Sequence, residues 1–78
     1  MNQQNAVEQK VLEIYKQLLN CEKIKIDDTL ELSSIEILNI LAQVERVFSV
    51  EIDDELVFHG MFSNIIEVSK YITERLEE

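Results

Sequence analysis

With 78 residues and a formal net charge of −9 at pH 7, the chain is long enough for one small domain, which we expect to span residues 1–78. Only seven Lys and Arg residues are available to neutralise phosphates, so a nucleic acid is not an expected partner. The acidity is compatible with a surface that meets basic partners and equally with one that only keeps a small domain dissolved.

The composition favours helices and an all-α bundle. Pro is absent, Gly occurs once, and Leu, Ile, Glu and Val are plentiful. The single cysteine, Cys21, excludes an intrachain disulfide framework and is compatible with a reducing compartment. Neither a membrane span of roughly 20 apolar residues nor a secretory signal is recognisable, so a cytoplasmic protein is expected.

A first helix is predicted from about Gln4 to Leu19. Its buried face consists of apolar residues at helical spacing, with two more beside them: Val7, Val11, Ile14 and Leu18, then Tyr15 and Leu19. Asn20 is a suitable end, because Asn tolerates the left-handed conformation at a helix C-terminus. Cys21 follows and is expected to be a small buried hydrophobe rather than a nucleophile.

Residues 22–32 lose the helical period and predict a long extended loop. Residues 23–26 alternate, and residues 27–29 then offer turn chemistry. Four apolar side chains should pin this loop to the core: Ile24, Ile26, Leu30 and Leu32. A short strand is the competing prediction, although a single short strand without a partner would be unstable.

The second helix should run from Ser34 to about Phe48. Ser33 is its N-cap, and Glu36 completes a capping box. At about 100° per residue, five apolar residues form a buried stripe, Ile37, Leu38, Leu41, Val44 and Phe48, opposite Glu36, Asn39, Gln43 and Arg46. Ile35 and Ala42 lie on one flank, which favours either contact with a partner or simply a wide apolar stripe.

The remaining chain predicts a polar turn, a weak helical turn and a last helix. In residues 49–55, Val50 and Ile52 should be buried anchors among acids. Residues 56–62 predict a loop with a short helical turn broken at Gly60, and His59 in it is expected to be structural or solvated. The last helix should begin after Asn64 as N-cap with Glu67 completing a capping box, and its stripe is Ile65, Val68, Ile72 and Leu76.

This order of elements resembles the acyl and peptidyl carrier protein family from about Val7 to Leu76. Residues 34–38 (Ser-Ile-Glu-Ile-Leu) look like the Asp-Ser-Leu helix start of that family. Residues 44–48 and the acidic turn at 49–55 follow its aromatic-then-acidic pattern, and residues 62–65 with Tyr71 and Ile72 look like its last helix. The resemblance implies a three- to four-helix bundle with a long loop between the first and second helices.

The resemblance also implies a cofactor, 4′-phosphopantetheine, attached to Ser34. Ser33 is the alternative site, but its hydroxyl is needed for the capping box. The chain departs from the family pattern in having Ser33 where Asp is usual, in lacking the upstream Leu-Gly element and in a shortened loop. A phosphodiester on Ser34 would lie at a helix N-terminus, which favours it by about 0.3–1 kcal/mol if exposed.

The implied partners are a phosphopantetheinyl transferase, an acyl- or aminoacyl-loading ligase, and downstream synthase or transferase enzymes. The residues expected to contact them are Ile35, Glu36, Leu38, Ala42, Glu45, Asp53 and Asp54. The mixed charge on the outer face of the second helix favours a dedicated carrier, for a polyketide, nonribosomal-peptide or other specialised pathway, over the general fatty-acid carrier.

No catalytic constellation or metal-binding cluster is recognisable, so the chain is not expected to be an enzyme. His59 and Cys21 fall in different loops, and there is no glycine-rich phosphate loop. A free-standing, monomeric carrier is the leading hypothesis. The alternative is an unmodified carrier-like helical module that acts by protein–protein contact alone.

Overall fold

The computed structural model describes residues 3–57 and 59–78, without the side chains of Asp54 and Leu56. Its elements are three longer helices, α1 (Gln3–Leu19), α2 (Ser34–Phe48) and α4 (Ile65–Leu76), a single-turn helix α3 (Asp54–Val57) and a 3₁₀ turn (Met61–Ser63). The predicted all-α bundle with a long loop between its first two helices is confirmed. None of the helices in the described part of the chain is both long and apolar enough to cross a membrane.

Helix α1 buries the predicted face, except at its last turn. Val7, Val11, Ile14 and Tyr15 are buried. The prediction that Leu18 is buried is wrong: it is 43% exposed, because it lies in the last turn, where neighbouring elements no longer cover that face. Asn20 has φ 52° and ends the helix as predicted. The chain turns outward there, and Cys21 is therefore exposed instead of buried.

The loop between α1 and α2 is held to the core by its apolar residues, as predicted. Ile24 is buried, and Ile26, Leu30 and Leu32 are partly buried against the core. The competing prediction of a strand is wrong for this described loop, which forms only an isolated bridge between Thr29 and Asn64. Next to that bridge, the Leu30 N–H donates to the Ser63 carbonyl over 2.8 Å. These bonds fix the loop against the start of α4.

Helix α2 has the predicted bounds, but its buried stripe is rotated. Val44 and Ile40 are fully buried, whereas Leu38 is 57% exposed, so its prediction as a core residue is wrong. The stripe is centred on Val44; Ile40 lies about 40° from Val44 around the helix and Leu38 about 120°. Ile37, Leu41 and Phe48 are partly buried against the core, as expected for the edges of the stripe.

The chain between α2 and α4 contains the predicted anchors and the predicted break. Ser49 ends α2 in the left-handed conformation, with Val50 partly buried and Ile52 buried after it. The helical turn begins at Asp54, before the stretch in which it was expected. Gly60 has φ 80°, a conformation that glycine adopts without strain, and the 3₁₀ turn follows it. Phe58, in the same stretch, lies outside the described residues.

Helix α4 begins at the predicted cap and contributes five buried residues. The Asn64 side chain accepts a hydrogen bond from the Glu67 N–H over 3.1 Å. The predicted capping box is not completed, however, because the Asn64 N–H donates to the Met61 carbonyl and not to the Glu67 side chain. Ile65, Val68 and Ile72 are fully buried, but Leu76, in the last turn, is 38% exposed and does not belong to the buried stripe. Two polar residues also face the core, and their hydroxyls donate to carbonyls one turn earlier: Ser69 to Ile65 and Thr73 to Ser69.

Candidate functional site

The start of α2 is fixed by a complete capping box. The Ser33 Oγ accepts a hydrogen bond from the Glu36 N–H over 3.2 Å. In return, the Glu36 Oε1 accepts one from the Ser33 N–H over 2.8 Å. Ser33 has φ −74° and ψ 164°, the extended conformation of an N-cap residue. The predicted capping box is confirmed, and the hydroxyl of Ser33 is engaged in it.

Ser34 is the first residue of α2, and its side chain is exposed. Among the described residues, nothing hydrogen-bonds to its hydroxyl. The free N–H groups and the positive end of the helix dipole lie at this terminus, where a phosphate is favoured. The two adjacent serines therefore differ: Ser33 holds the helix start, and the Ser34 hydroxyl is available for chemistry.

An exposed apolar stripe runs along α2 directly after Ser34. It consists of Ile35, Leu38 and Ala42, all exposed, with 71% of Ile35 accessible. Around the helix these residues fall within about 60° of one another. Large apolar side chains that are left uncovered on one helix face are typical of a contact surface. The structure thus brings the predicted attachment residue and three predicted contact residues together.

The remaining predicted contact residues lie at the other end of α2 or have roles within the domain. The Glu45 carboxylate accepts a hydrogen bond from the Ile52 N–H over 2.9 Å, so it stabilises the turn after α2. Asp53 is exposed in this turn. Ser34 and this turn lie near opposite ends of α2, whose 15 residues span about 22 Å. Asp54 is the first residue of α3, and its side chain lies outside the described part.

A surface groove that sequence analysis did not indicate lies on the outer face of α4. Its volume is about 470 Å³, and its lining includes Met61, Glu67, Lys70, Tyr71 and Glu74. The four α4 residues share one helix face outside the buried stripe, a spacing that is visible in the sequence. The groove presents both signs of charge.

Other reactive side chains are not gathered at this site. Cys21 and His59 are both exposed and belong to different loops. Within residues 3–57 and 59–78, three or more His, Cys, Asp or Glu side chains nowhere come together in a way that could hold a metal ion.

Comparisons of the chain with protein-family models, with curated proteins and with solved structures found no match. Function must therefore be inferred from the residues of this chain and from their geometry.

Proposed function

We propose that this protein is an acyl or aminoacyl carrier whose 4′-phosphopantetheine arm is attached to Ser34. The arm holds the cargo as a thioester and presents it to the enzymes of a fatty-acid, polyketide or nonribosomal-peptide type pathway in the cytoplasm. One observation carries the proposal: Ser34 presents an exposed, unengaged hydroxyl at a capped helix N-terminus, directly before an exposed apolar stripe.

The attachment reaction needs from this chain only a nucleophilic oxygen and a place for a phosphate. The Ser34 Oγ would attack the β-phosphorus of coenzyme A, forming a P–O bond while the bond to the 3′,5′-ADP leaving group breaks. The hydroxyl proton passes to a base on the transferase. The product is a phosphodiester at the N-terminus of α2, where the helix dipole stabilises its negative charge. The residues present at this position fit the group.

The surface around Ser34 supports transient docking to several enzymes in turn. The stripe of Ile35, Leu38 and Ala42 supplies apolar contact area, and the net charge of −9 favours fast encounters with basic surfaces. The charge close to Ser34 is nevertheless sparse, because α2 carries only one acid in its first turn and a basic residue, Arg46, in its last. This sparse, mixed charge favours partners of a dedicated pathway, and a monomer is suited to such exchange.

The test is a loading assay. The protein is incubated with coenzyme A, Mg²⁺ and a broad-range phosphopantetheinyl transferase, and its intact mass is measured. We expect a gain that corresponds to one 4′-phosphopantetheine group per chain. Wild-type protein that gains no mass would overturn the carrier function and leave the unmodified interaction module, which uses the same apolar stripe, as the better explanation.

Ile35→Glu is expected to weaken docking of the transferase. Burying a carboxylate in an apolar contact is costly, so the KM for the carrier should rise about tenfold or more, as for a residue central to an interface. The measurement is the initial rate of loading against carrier concentration.

The matched control is Val47→Glu, which changes another exposed apolar residue of α2. Val47 lies about 120° around the helix from Ile35, so its KM should stay at the wild-type value. Equal KM values for Ile35→Glu and wild type would show that the stripe does not contact the transferase.

A further inference from the structure

We infer that Glu36 is a positioning residue for the Ser34 hydroxyl, and not a docking contact for partner enzymes. This inference rests on the carrier function proposed above. A carboxylate two residues after the attachment serine could serve either purpose. The contacts that Glu36 makes inside the domain distinguish the two.

Ser34 lies within a closed set of hydrogen bonds. On its N-terminal side, the Ser33 N–H donates to the Glu36 carboxylate over 2.8 Å. On its C-terminal side, the Glu36 N–H donates to the Ser33 Oγ over 3.2 Å, and the Ile37 N–H donates to the Ser33 carbonyl over 3.0 Å. The backbone that carries the Ser34 hydroxyl is therefore tied down before and after it. The Glu36 side chain supplies the bond on the N-terminal side.

The environment of the Glu36 carboxylate is unsuited to docking. Its side chain is only partly exposed, and one of its oxygens is used by the Ser33 N–H. Its negative charge also repels the reaction product, because a phosphodiester on Ser34 would place a second negative charge two residues before Glu36 in the chain. A hydrogen-bond acceptor is what this position requires.

The two roles make opposite predictions for glutamine. The amide oxygen of Gln accepts the same backbone hydrogen bond, as in capping boxes that carry Gln, but it has no charge. If Glu36 positions Ser34, Glu36→Gln should load with a kcat within about twofold of wild type. Glu36→Ala removes the acceptor and should lower kcat by on the order of tenfold, since a misplacement of about 1 Å can cost up to 100-fold. The KM of the carrier should change little in both variants.

The experiment measures kcat and KM of transferase loading for wild type, Glu36→Gln and Glu36→Ala. Glu13→Ala, which removes an exposed glutamate from α1, is the matched control and should behave as wild type. Amide hydrogen exchange at Ser33 is followed by NMR, and it should become faster in Glu36→Ala only. Ser33→Ala, which removes the other half of the capping box, should lower kcat in the same direction.

The possible failures are distinguishable. Wild-type protein that does not load would overturn the carrier function, and the positioning role with it. Normal loading of wild type and of Glu36→Ala alike would overturn only the positioning role. A raised KM shared by Glu36→Gln and Glu36→Ala, with kcat unchanged, would assign the carboxylate to docking and also overturn it.

Discussion

In the loading assay, Ser34→Ala is expected to abolish the mass gain completely. The variant lacks the oxygen that forms the bond to phosphorus, so no residual rate is expected at this position. The substitution should leave the fold intact, because the Ser34 hydroxyl is exposed and makes no hydrogen bond within the described residues. Intact-mass measurement of the loaded sample checks the loss, and far-UV circular dichroism checks that α2 is still formed.

Ser33→Ala is the matched control, because it removes the neighbouring hydroxyl. It should keep the mass gain, although the rate falls as argued above. It should also lose about 0.5–2 kcal/mol of stability, because the N-cap bond to the Glu36 N–H disappears. A gain that persists in Ser34→Ala and disappears in Ser33→Ala would move the attachment site to Ser33. A gain that persists when both serines are replaced together, in Ser33→Ala/Ser34→Ala, would refute attachment at the start of α2.

The limits of the helices could be predicted because the signals that set them are local. Ser33 and Glu36 satisfy each other's backbone N–H groups within a single turn, and the Asn64 side chain caps α4 by accepting from the Glu67 N–H. Asn20 adopts the left-handed conformation that its residue type tolerates. None of these contacts requires another element of the fold. The same local signals are sufficient to predict that Ser34 is the first residue of α2.

The exposure of individual apolar residues could not be predicted, because it depends on which elements pack on each face. Leu38 and Ile40 are both apolar residues of α2, yet the first is 57% exposed and the second fully buried. A helical wheel shows that α2 has an apolar face, but the elements that pack against α2 decide which residues lie at the centre of the buried stripe. Cys21 was expected to be buried because cysteine behaves as a small apolar residue, but the turn at Asn20 directs its side chain outward.

Side-chain contacts between distant segments could not be predicted from the sequence either. Glu45 was expected to contact a partner, but its carboxylate holds the Ile52 N–H seven residues later. On the other side of the same turn, the Arg75 Nη2 donates to the Glu51 carbonyl over 3.4 Å. These contacts stabilise the acidic turn from α2 on one side and from α4 on the other. Spacing along the chain carries no information about such pairs.

A buried tertiary contact between α1 and the 3₁₀ turn predicts a large loss of stability. Tyr15 is fully buried in α1, and its hydroxyl donates to the Phe62 carbonyl over 2.7 Å. Tyr15→Ala should cost about 3–5 kcal/mol, because it removes a large core side chain and leaves that carbonyl unsatisfied. A domain of this size rarely has more than about 3–5 kcal/mol to lose. Circular dichroism at 25 °C should therefore show a largely unfolded chain.

Tyr15→Phe separates the hydrogen bond from the packing and predicts a specific pH dependence. The ring remains, so the loss should be about 1–3 kcal/mol, measured by urea unfolding at pH 8. Burial raises the pKa of the Tyr15 hydroxyl above its usual 10.0. The unfolded chain therefore releases this proton first, and the stability contributed by the neutral hydroxyl is present below pH 10 and falls as the pH rises above it. Wild type should lose more stability between pH 8 and pH 11 than Tyr15→Phe does.

Tyr71→Phe provides the control for this pH dependence, because Tyr71 is only partly buried and lies on the outer face of α4. It should lose stability between pH 8 and pH 11 as wild type does, since its Tyr15 is intact. Equal losses in wild type and Tyr15→Phe would mean that the Tyr15 hydroxyl ionises as readily in the folded protein as in the unfolded chain. That result would contradict a buried bond from Tyr15 to the Phe62 carbonyl. It would also remove this polar contact between α1 and the 3₁₀ turn that precedes α4.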